Sequence, residues 1–475
     1  MSISPFFGLD MALRALHAQQ TGIDVTSHNV ANANTEGYSR QNVTIVTTEP
    51  FASPGMNRPA SAGQIGTGSI AGDIQRARDI FLDTQWRIEA GTASNAANRN
   101  DALEQVEVIL DEPQGVGLSS LFNEYYRVWN ELSNDPSAHA LPVRTTVVQQ
   151  SLSLTTAINR IARQFGDIRT GLDAEVVTDV GELNALSTEI LQLNETIVQI
   201  ELTGQRANDL RDRRDATLDR MSQLVQVTST ENADGSINVL MGAQVLVNGT
   251  TSTTDLVAVP NAGNNGFADI TFGSGGPAAT LGSSGIAGRL TARDTLVPKY
   301  QASLNTIALN LITATNTLHA AGFDVNGNPG QPFFTGTDAA TISVNTAIQA
   351  DPALIAASDT AGSSGNNEVA LDIIRLRTSM SPPLPVGTPT SETAYNSMVA
   401  ALGSDTRTTR NEASTQDALV ELLTRRRQSL SGVSLDEEAT NLLRYQRAYE
   451  AAARVLSTYD EILDKLINGT GVVGR

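Results

Sequence analysis

The side chains that most often bind metals or transfer protons are scarce in this chain of 475 residues. It contains no cysteine, which excludes disulfides, thiolate metal ligands and cysteine nucleophiles. No two histidines form a pair at metal-ligand spacing, and a zinc site without cysteine would also need carboxylates. The histidines are His17, His28, His139 and His319. We therefore expect no metal site and no cofactor.

One short segment resembles part of a calcium-binding loop, in which carboxylate and amide oxygens alternate along the chain. Asp324, Asn326 and Asn328 occupy the first three ligand positions. However, Pro329 stands where such a loop requires glycine, and Thr335 stands where it ends in glutamate. The segment is therefore predicted to form a polar turn rather than a cation site.

Sequence patterns of catalytic sites were not found either. The glycine-rich segment 273–285 lacks the spacing and the following lysine of a phosphate-binding loop. No serine lies in the pattern of a nucleophile elbow. A secreted hydrolase would need an acid–base or metal constellation around residues 323–400, and the sequence has none there. We predict that the protein is not an enzyme.

The overall charge and hydrophobicity exclude two classes of partner. The formal net charge is -19, so a nucleic-acid backbone would be repelled. No apolar run is long enough to span a bilayer. Asp10 and Arg14 lie where a cleavable signal peptide would have its apolar core. We expect no membrane insertion, and an extracellular location would require an export route without a cleavable signal.

Both ends of the chain have apolar residues at alternating spacings of three and four, which predicts α-helices that pack along a seam. The N-terminal seam is Phe6, Leu9, Leu13, Leu16, Ile23 and Val30. The C-terminal seam is Leu435, Leu442, Tyr449, Leu456, Leu463 and Ile467. Periodicity alone leaves open whether these helices are independent, pair with each other or pack against neighbouring molecules.

The longest seam lies inside the chain, from Val147 to Ile200, and would span on the order of 80 Å as one helix. Gly166, Gly171 and Gly181 each weaken it by up to ~1 kcal/mol, so a kink or break is possible. Further helices are predicted near 95–111, 118–132, 205–225, 300–318 and 412–430. Long apolar stripes must bury each other, which favours a helical bundle.

Two regions interrupt the helical pattern. Between about 225 and 288, short β-branched runs are separated by tight-turn signals at Asp234-Gly235 and Asn248-Gly249. This composition predicts a small β subdomain. The region 323–392 is rich in Gly, Pro, Ser and Thr, which predicts a loop-rich excursion.

The stretch NVANANTEGYSRQ, residues 29–41, resembles the N-terminal signature of flagellar rod, hook and hook-associated proteins. Its turn-forming residues follow directly after the N-terminal seam, where a helix must end. The signature residues are Asn29, Ala31, Asn32, Asn34, Thr35, Gly37 and Tyr38.

The C-terminal stretch 431–467 is similar to the last helix of the hook-associated proteins that join hook to filament. The segments 132–144, 207–225 and 322–334 resemble internal parts of the same proteins. In contrast, residues 335–400 are shorter than the outer domain that many relatives carry, so no property of that domain is transferred.

The resemblance implies a mainly α fold with a small β subdomain, in which paired terminal helices form a coiled-coil domain beside an elongated helical bundle with a β insertion. The expected boundaries are 1–60 with 431–475 for the terminal coiled coil and 61–225 with 289–430 for the helical domain. The β subdomain is expected at 226–288, and a reduced variable region at 323–400.

The resemblance also implies a structural role at the hook–filament junction that permits filament assembly. The implied partners are further copies of the chain in the flagellar axis, the hook protein and a second junction protein on the filament side. A cytoplasmic chaperone on the C-terminal helix and the flagellar type III export apparatus are implied as well, with an extracellular final location. A hook or distal-rod subunit is the alternative within the family. A coiled-coil adhesin is a further alternative, but it should carry a signal peptide or anchor.

Overall fold

The computed structural model describes residues 6–50, 65–110, 117–137 and 140–469. His139 lies outside the described residues. Contacts divide the chain into two compact units. Unit 1 comprises the described residues of Met1–Ala90, Leu183–Asp255 and Ala418–Arg475, and unit 2 those of Gly91–Glu182 and Leu256–Asp417.

Helices account for most of the described chain, and short antiparallel strands occur between them. The helices are α1 (Phe7–Ala31), α2 (Ile80–Leu110), α3 (Leu118–Asn134), α4 (Leu141–Glu201), α5 (Asn208–Leu224), α6 (Gly285–Thr291), α7 (Val297–Ala321), α8 (Thr346–Ala350), α9 (Glu368–Arg375), α10 (Ser391–Ser431) and α11 (Leu435–Gly469). The strands are β1 (Gln41–Thr47), β2 (Ser69–Arg76), β3 (Thr228–Glu231), β4 (Ile237–Met241), β5 (Gln244–Asn248), β6 (Ser252–Thr253), β7 (Leu256–Pro260), β8 (Ala268–Phe272), β9 (Phe334–Thr335) and β10 (Ser343–Val344). The predicted mainly α fold with small sheets and paired terminal helices is confirmed.

Unit 1 contains the two terminal helices, the β1–β2 hairpin, α5 and the sheet β3-β4-β5-β6. The β1–β2 pairing is antiparallel, with Gln41 opposite Arg76 and a bulge between Thr44 and Ile45. The first strand of this hairpin begins at Gln41, which is the last residue of the signature segment.

Unit 2 contains a continuous core of large side chains from α3, α4, α7 and the segment that follows α7. Trp129 is fully buried, and its ring lies 5.3 Å from the ring of Phe333 in an edge-to-face arrangement. Such aromatic contacts add to the stabilisation that area burial already provides. The segment after α7 is therefore part of the same buried core as the helices.

The predicted turn at 324–328 is confirmed. The Asp324 carboxylate accepts hydrogen bonds from the backbone amides of Asn326 and Asn328, at 2.8 and 2.9 Å. It also accepts one from the Asn328 side chain at 3.0 Å. The carboxylate that resembled a calcium ligand thus closes a turn of its own backbone.

The helix α4 runs without a break through Gly166, Gly171 and Gly181. A Cβ added at any of these glycines would have no neighbour within 4 Å, so no other element packs closely against them. Residues of its predicted seam are buried along the helix, including Val147, Phe165 and Ile197. Burial of this face outweighs the ~1 kcal/mol that each glycine costs.

The predicted β subdomain at 226–288 does not form one body. Strands β3 to β6 lie in unit 1, where the Asn194 side chain donates to the carbonyls of Ile237 and Gly249. The hairpin β7–β8 lies in unit 2, where Arg293 donates to the carbonyl of Ala268 at 2.9 Å. The two halves bond to different stretches of α4, since Asn194 lies in unit 1, whereas Asp173, which accepts from the Ala268 amide at 2.9 Å, lies in unit 2.

The compact units also differ from the other expected boundaries. Residues 61–90, 183–225 and 418–430 were expected in the helical domain, but the described residues among them, 65–90, 183–225 and 418–430, lie in unit 1 with the terminal helices. The helices α2, α4 and α10 contribute to both units, so a boundary drawn at their ends would miss the division. Residues 323–400 carry β9, β10, α8, α9 and the start of α10. Among the described residues, no helix is long and apolar enough to cross a membrane.

Candidate assembly site

The terminal helices α1 and α11 pack against each other in an antiparallel arrangement. A Cβ added to Gly8 would come within 3.0 Å of the Tyr459 ring, and one added to Gly22 would come within 3.0 Å of the Tyr445 ring. Further along α1, the Asn29 side chain donates to the Glu438 carboxylate at 3.1 Å. Each step toward the C terminus of α1 is thus matched by an equal step toward the N terminus of α11.

Small and polar side chains form the fully buried face of α1. These residues are Gly8, Ala12, Ala18, Gly22, Thr26 and Asn29. In α11 only Glu438 is fully buried, and the two tyrosine rings that cover the glycines are half-buried. The two backbones can approach closely because no large side chain of α1 separates them at these positions.

The residues of the predicted N-terminal seam lie beside this contact face. Leu9, Leu16 and Ile23 are half-buried. Phe6, Leu13 and Val30 are exposed, with Phe6 at 56% of its surface. Their contact with neighbouring subunits stays a prediction.

The predicted C-terminal seam shows the same division. Leu442, Leu456 and Leu463 are half-buried. Leu435, Tyr449 and Ile467 are exposed, with Ile467 at 66% of its surface. The pairing contacts between α1 and α11 use neighbouring positions instead, among them Glu438, Tyr445 and Tyr459.

The Asn29 side chain makes several hydrogen bonds that connect the signature segment to its surroundings. It is 1% exposed, and its amide oxygen accepts from the Gln41 backbone amide at 2.9 Å and from the Tyr38 hydroxyl at 2.7 Å. Its amide nitrogen donates to the Gln41 carbonyl at 2.8 Å and to Glu438. One buried side chain therefore joins α1, the start of β1 and the first turn of α11.

Tyr38 supports Asn29 as a hydrogen-bond donor. Burial and the nearby Asp209, Asp212 and Glu438 carboxylates raise the pKa of Tyr38 above its usual value. The hydroxyl therefore stays protonated at physiological pH. It also lies 3.1 Å from Nδ1 of His28.

The remaining signature residues shape the loop between α1 and β1. Asn32 donates to the His28 carbonyl at 3.1 Å, and Thr35 donates to the Asn32 side chain. Gly37 has a φ of +78°, a conformation that favours glycine. Ala31 and Asn34 are exposed. These residues end the helix and direct the chain back toward the hairpin.

Glu438 is a buried carboxylate, and Arg40 is its cationic partner. The Nε of Arg40 lies 2.7 Å from Glu438, and its Nη1 lies 2.7 Å from Glu437. The backbone amide of Arg40 donates to the Ser431 carbonyl at 2.9 Å. A buried charge is costly unless it is paired, so Arg40 is needed for Glu438 to lie inside the contact.

A second group of ion pairs connects the signature segment to α5. The Asp212 carboxylate accepts from the backbone amide and hydroxyl of Ser39, at 2.8 and 2.7 Å. Arg76 on β2 lies 2.7 Å from Asp212 and 2.8 Å from Asp215. The segment 207–225, which resembles an internal part of the family, therefore contacts the signature segment through Asp212.

The pKa values of the two α5 carboxyl groups, Asp212 and Asp215, shift in opposite directions. Burial raises the pKa of Asp212, although Arg76 opposes that effect. Burial also acts on Asp215, but Arg78, Arg76 and Arg87 together lower its pKa to about 2. Asp215 is therefore the more firmly ionised member of the group.

The same network reaches the end of α10. Arg427 lies 2.7 Å from Asp219 and 2.9 Å from Asp83, and its guanidinium lies 4.7 Å from the centre of the Trp86 ring. Arg87 pairs with Asp219 at 2.6 Å. These contacts hold the segment that leads into α11.

Asn29 was predicted as a signature residue, whereas the other residues of the pairing contacts were not predicted: Gly8, Gly22, Glu438, Tyr445 and Tyr459. Gly8, Gly22 and Asn29 are spaced by multiples of seven, as are Tyr459, Tyr445 and Glu438. That spacing was a usable signal, but a search for apolar seams ignores glycine and charged residues. Arg40 and Asp212 lie in the segments 29–41 and 207–225 that resemble the family, but their ion pairs were not predictable, because their partners lie far away in the chain.

The charged side chains of the site take part in structural contacts. Within the described ranges, no group of three or more histidine, aspartate or glutamate side chains is placed to hold a metal ion. Each carboxylate described above pairs with an arginine or accepts hydrogen bonds from the chain. The arrangement can fix helices in place and transmit force between them.

Comparisons with known proteins agree with this geometry. The family model for the flagellar hook-associated protein FlgK helical domain matches residues 103–334. The model for flagella basal body rod proteins matches residues 9–38, and the model for the C-terminal region of the rod FlgEFG proteins matches residues 427–469. The last two cover most of α1 with part of the signature, and all of α11.

Whole-chain relatives have the same family name. Flagellar hook-associated protein 1 of Bacillus subtilis (strain 168) is 32% identical over 516 residues, covering 99% of this chain and 100% of the relative. That of Escherichia coli (strain K12) is 24% identical over 555 residues, covering 97% and 99%. The flagellar hook junction protein FlgK from Burkholderia pseudomallei has a similar fold, with a TM-score of 0.62 and 16% identity over 73% of this chain and 100% of that one. The chain belongs to the flagellar hook-associated protein 1 family.

Proposed function

We propose that this chain forms the junction zone between hook and filament, with the α1–α11 pair as its assembly site in the flagellar axis. The observation that carries the proposal is the signature segment, which holds both chain ends together through Asn29 and Glu438. Family membership supplies the structural role in the flagellum and its extracellular location.

Exposed apolar residues on α11 support contacts with further copies of the chain. Leu443 is 60% exposed, Ile462 50% and Leu466 54%. Exposed apolar side chains of this number on one helix mark an interaction surface. Neighbouring copies would bury them, as would the hook protein on one side and a second junction protein on the other.

The same surface supports the proposed export route. Before assembly, α11 would need a cytoplasmic chaperone to cover these apolar residues. We further propose passage through the flagellar type III apparatus without a cleavable signal. The hook or distal-rod alternative is less favoured, because residues 103–334 match the helical domain of the junction protein.

An in-frame deletion in the parent organism tests the proposed place in the flagellum. We expect hooks without filaments by electron microscopy and flagellin lost to the medium, with rescue by the added protein. Missing hooks would instead assign the chain to the rod or hook. Intact filaments would contradict a junction role.

A single substitution tests the assembly surface. We expect Leu443→Asp to leave the purified monomer folded but to abolish filament attachment, because the exposed side chain contributes only to contacts with other subunits. Leu309→Asp is the matched control, since Leu309 is 47% exposed on α7 of unit 2. Normal filaments in the Leu443 variant would remove α11 from the proposed surface.

A further inference from the structure

Three contacts between α1 and α11 repeat at heptad-compatible spacing. Gly8 lies against Tyr459, Gly22 against Tyr445, and Asn29 against Glu438. The residues of α1 are fourteen and seven positions apart, and those of α11 are fourteen and seven positions apart in the opposite direction. Other half-buried positions fall on the same line, so that Ala15 matches Ala452, and Gln19 matches Ala448.

If α11 were shifted along α1 by one heptad, that is, by seven residues, each of these contacts would be lost. In one direction Tyr445 would move to Ala15, and in the other direction Tyr459 would move there. Both rings pack so closely on glycine that an added Cβ would come within 3.0 Å of them. Ala15 carries that extra atom, so either slip places a ring where the backbone is less accessible.

The polar contact penalises a slip more strongly than the rings do. Arg40 lies outside α1, so Glu438 can reach it only in the observed register. A slip in one direction would place Glu438 beside Gly22 without its cation, and a slip in the other would place Asn29 beside Tyr445. Buried charges and amides without partners are strongly unfavourable.

We infer that Asn29, Glu438 and Arg40 act as a register key, which allows α1 and α11 to pair in one antiparallel alignment only. Single buried polar residues set alignment in other helical pairs for the same reason. A slip of seven residues would move the apolar side chains of α11 by about 10 Å relative to those of α1. The key therefore determines which surface the terminal pair presents to other molecules.

The absence of cysteine from the chain allows a direct test by disulfide formation. Gln19→Cys with Ala448→Cys reports the observed register. Gln19→Cys with Asn441→Cys, or with Val455→Cys, reports a slip of one heptad in either direction. Residues 448 and 441 are about 10 Å apart along the helix, which is too far for one cysteine to reach both.

The reporters are compared in the otherwise unchanged full-length chain and in a variant with Asn29→Leu and Glu438→Leu. Dilute protein is oxidised, and intramolecular crosslinks are measured by gel mobility. We expect the 19–448 crosslink to exceed either slipped crosslink by at least about tenfold in the unchanged chain. In the leucine variant, the slipped crosslinks should rise severalfold relative to the 19–448 crosslink, because only the weaker contacts of the tyrosine rings with glycine then oppose a slip.

Asn34→Leu with Glu450→Leu is the control, since both positions are exposed. It should keep the ratio of the unchanged chain. An unchanged ratio in the Asn29 and Glu438 variant would overturn the inference, as would a loss of all three crosslinks. The test concerns contacts within one chain, so it can fail while the proposed junction role holds.

Discussion

The core of unit 2 and the α1–α11 pair of unit 1 bury different kinds of side chain. In unit 2 the fully buried residues include Trp129, Phe165 and Tyr300. In the terminal pair they include Gly8, Gly22 and Asn29, and many large apolar residues stay exposed. Unit 2 therefore has a core of large apolar and aromatic side chains, whereas the terminal pair is held by close backbone approach and polar contacts. In the isolated chain, the stability of the α1–α11 pair should depend on a few specific contacts.

The largest expected effect is a loss of core packing in unit 2. Trp129→Ala removes a fully buried ring and should lower the free energy of unfolding by about 3–5 kcal/mol. Leu443→Ala on α11 is the matched truncation and should change it by about 0.5 kcal/mol or less, since that residue is 60% exposed. Urea unfolding of both variants measures the difference. Equal losses would mean that α11 is part of an independent core.

The next effect tests the polar contact of the terminal pair. Arg40→Met leaves Glu438 buried without a cation, which should cost about 3 kcal/mol locally. Hydrogen exchange of residues 435–469 should become faster, with unit 2 unaffected. Arg14→Met is the control, because the Arg14–Asp10 pair is exposed on both sides and should contribute ~0.5 kcal/mol or less. Unchanged exchange in α11 would contradict a structural role for the pair.

Acid should separate the two regions. Burial and the nearby charge of Arg144 lower the pKa of His319 in unit 2 to about 4, from 6.5. Its neutral ring donates from Nδ1 to the Gln331 carbonyl and accepts at Nε2 from the Ala356 amide. Because the folded state binds the proton more weakly, this stability is complete above pH 6.5. It should fall by about 3 kcal/mol as the pH drops toward 4.

In unit 1, the contribution of Asp215 is also lost on acidification, but at a lower pH, because the folded state stabilises its ionised form. With a pKa lowered from 3.8 to about 2, its contribution is present above pH 4 and is lost only below that. Hydrogen exchange at pH 7 and 5 should therefore show weaker protection in unit 2 at the lower pH. His319→Gln should abolish this change, and His17→Gln on α1 should not. The same change in the His319 variant would assign it to other groups.

The smallest effect concerns glycine in two helices. Gly22→Ala should weaken the terminal pair by about 1–3 kcal/mol, because the added Cβ would press on the Tyr445 ring close to its attachment point. Gly166→Ala on α4 has open space and should stabilise by up to ~1 kcal/mol. Thermal unfolding of unit 2 and hydrogen exchange of α11 distinguish the two. Recovery in Gly22→Ala with Tyr445→Leu would show that the ring contact is responsible.

Periodic features were predictable from the sequence, because they reflect local geometry. The spacing from Val147 to Ile200 predicted the buried face of α4, and the helix continues through its glycines. The substitutions Pro329 and Thr335 excluded a calcium loop, and Asp324 closes a turn instead.

Long-range features were not predictable in the same way. Asp212 and Glu438 were not predicted to be buried, but they lie buried against Arg76 and Arg40. Their partners lie in distant segments of the chain, which periodicity cannot connect. The β region 226–288 was predicted as one subdomain, but its strands bond to different stretches of α4 and are divided between the two units.

The sequence by itself determined that both ends are amphipathic helices, that turn-forming residues within 29–41 end the first of them, and which family the chain resembles. Tertiary structure alone decided that α1 pairs with α11 and that the contact uses glycine, tyrosine and a buried amide beside the apolar seam. The physical reason is that hydrophobic spacing reports which face of a helix avoids water. The choice of partner and alignment depends on shape and on charge pairing between residues that are hundreds of positions apart.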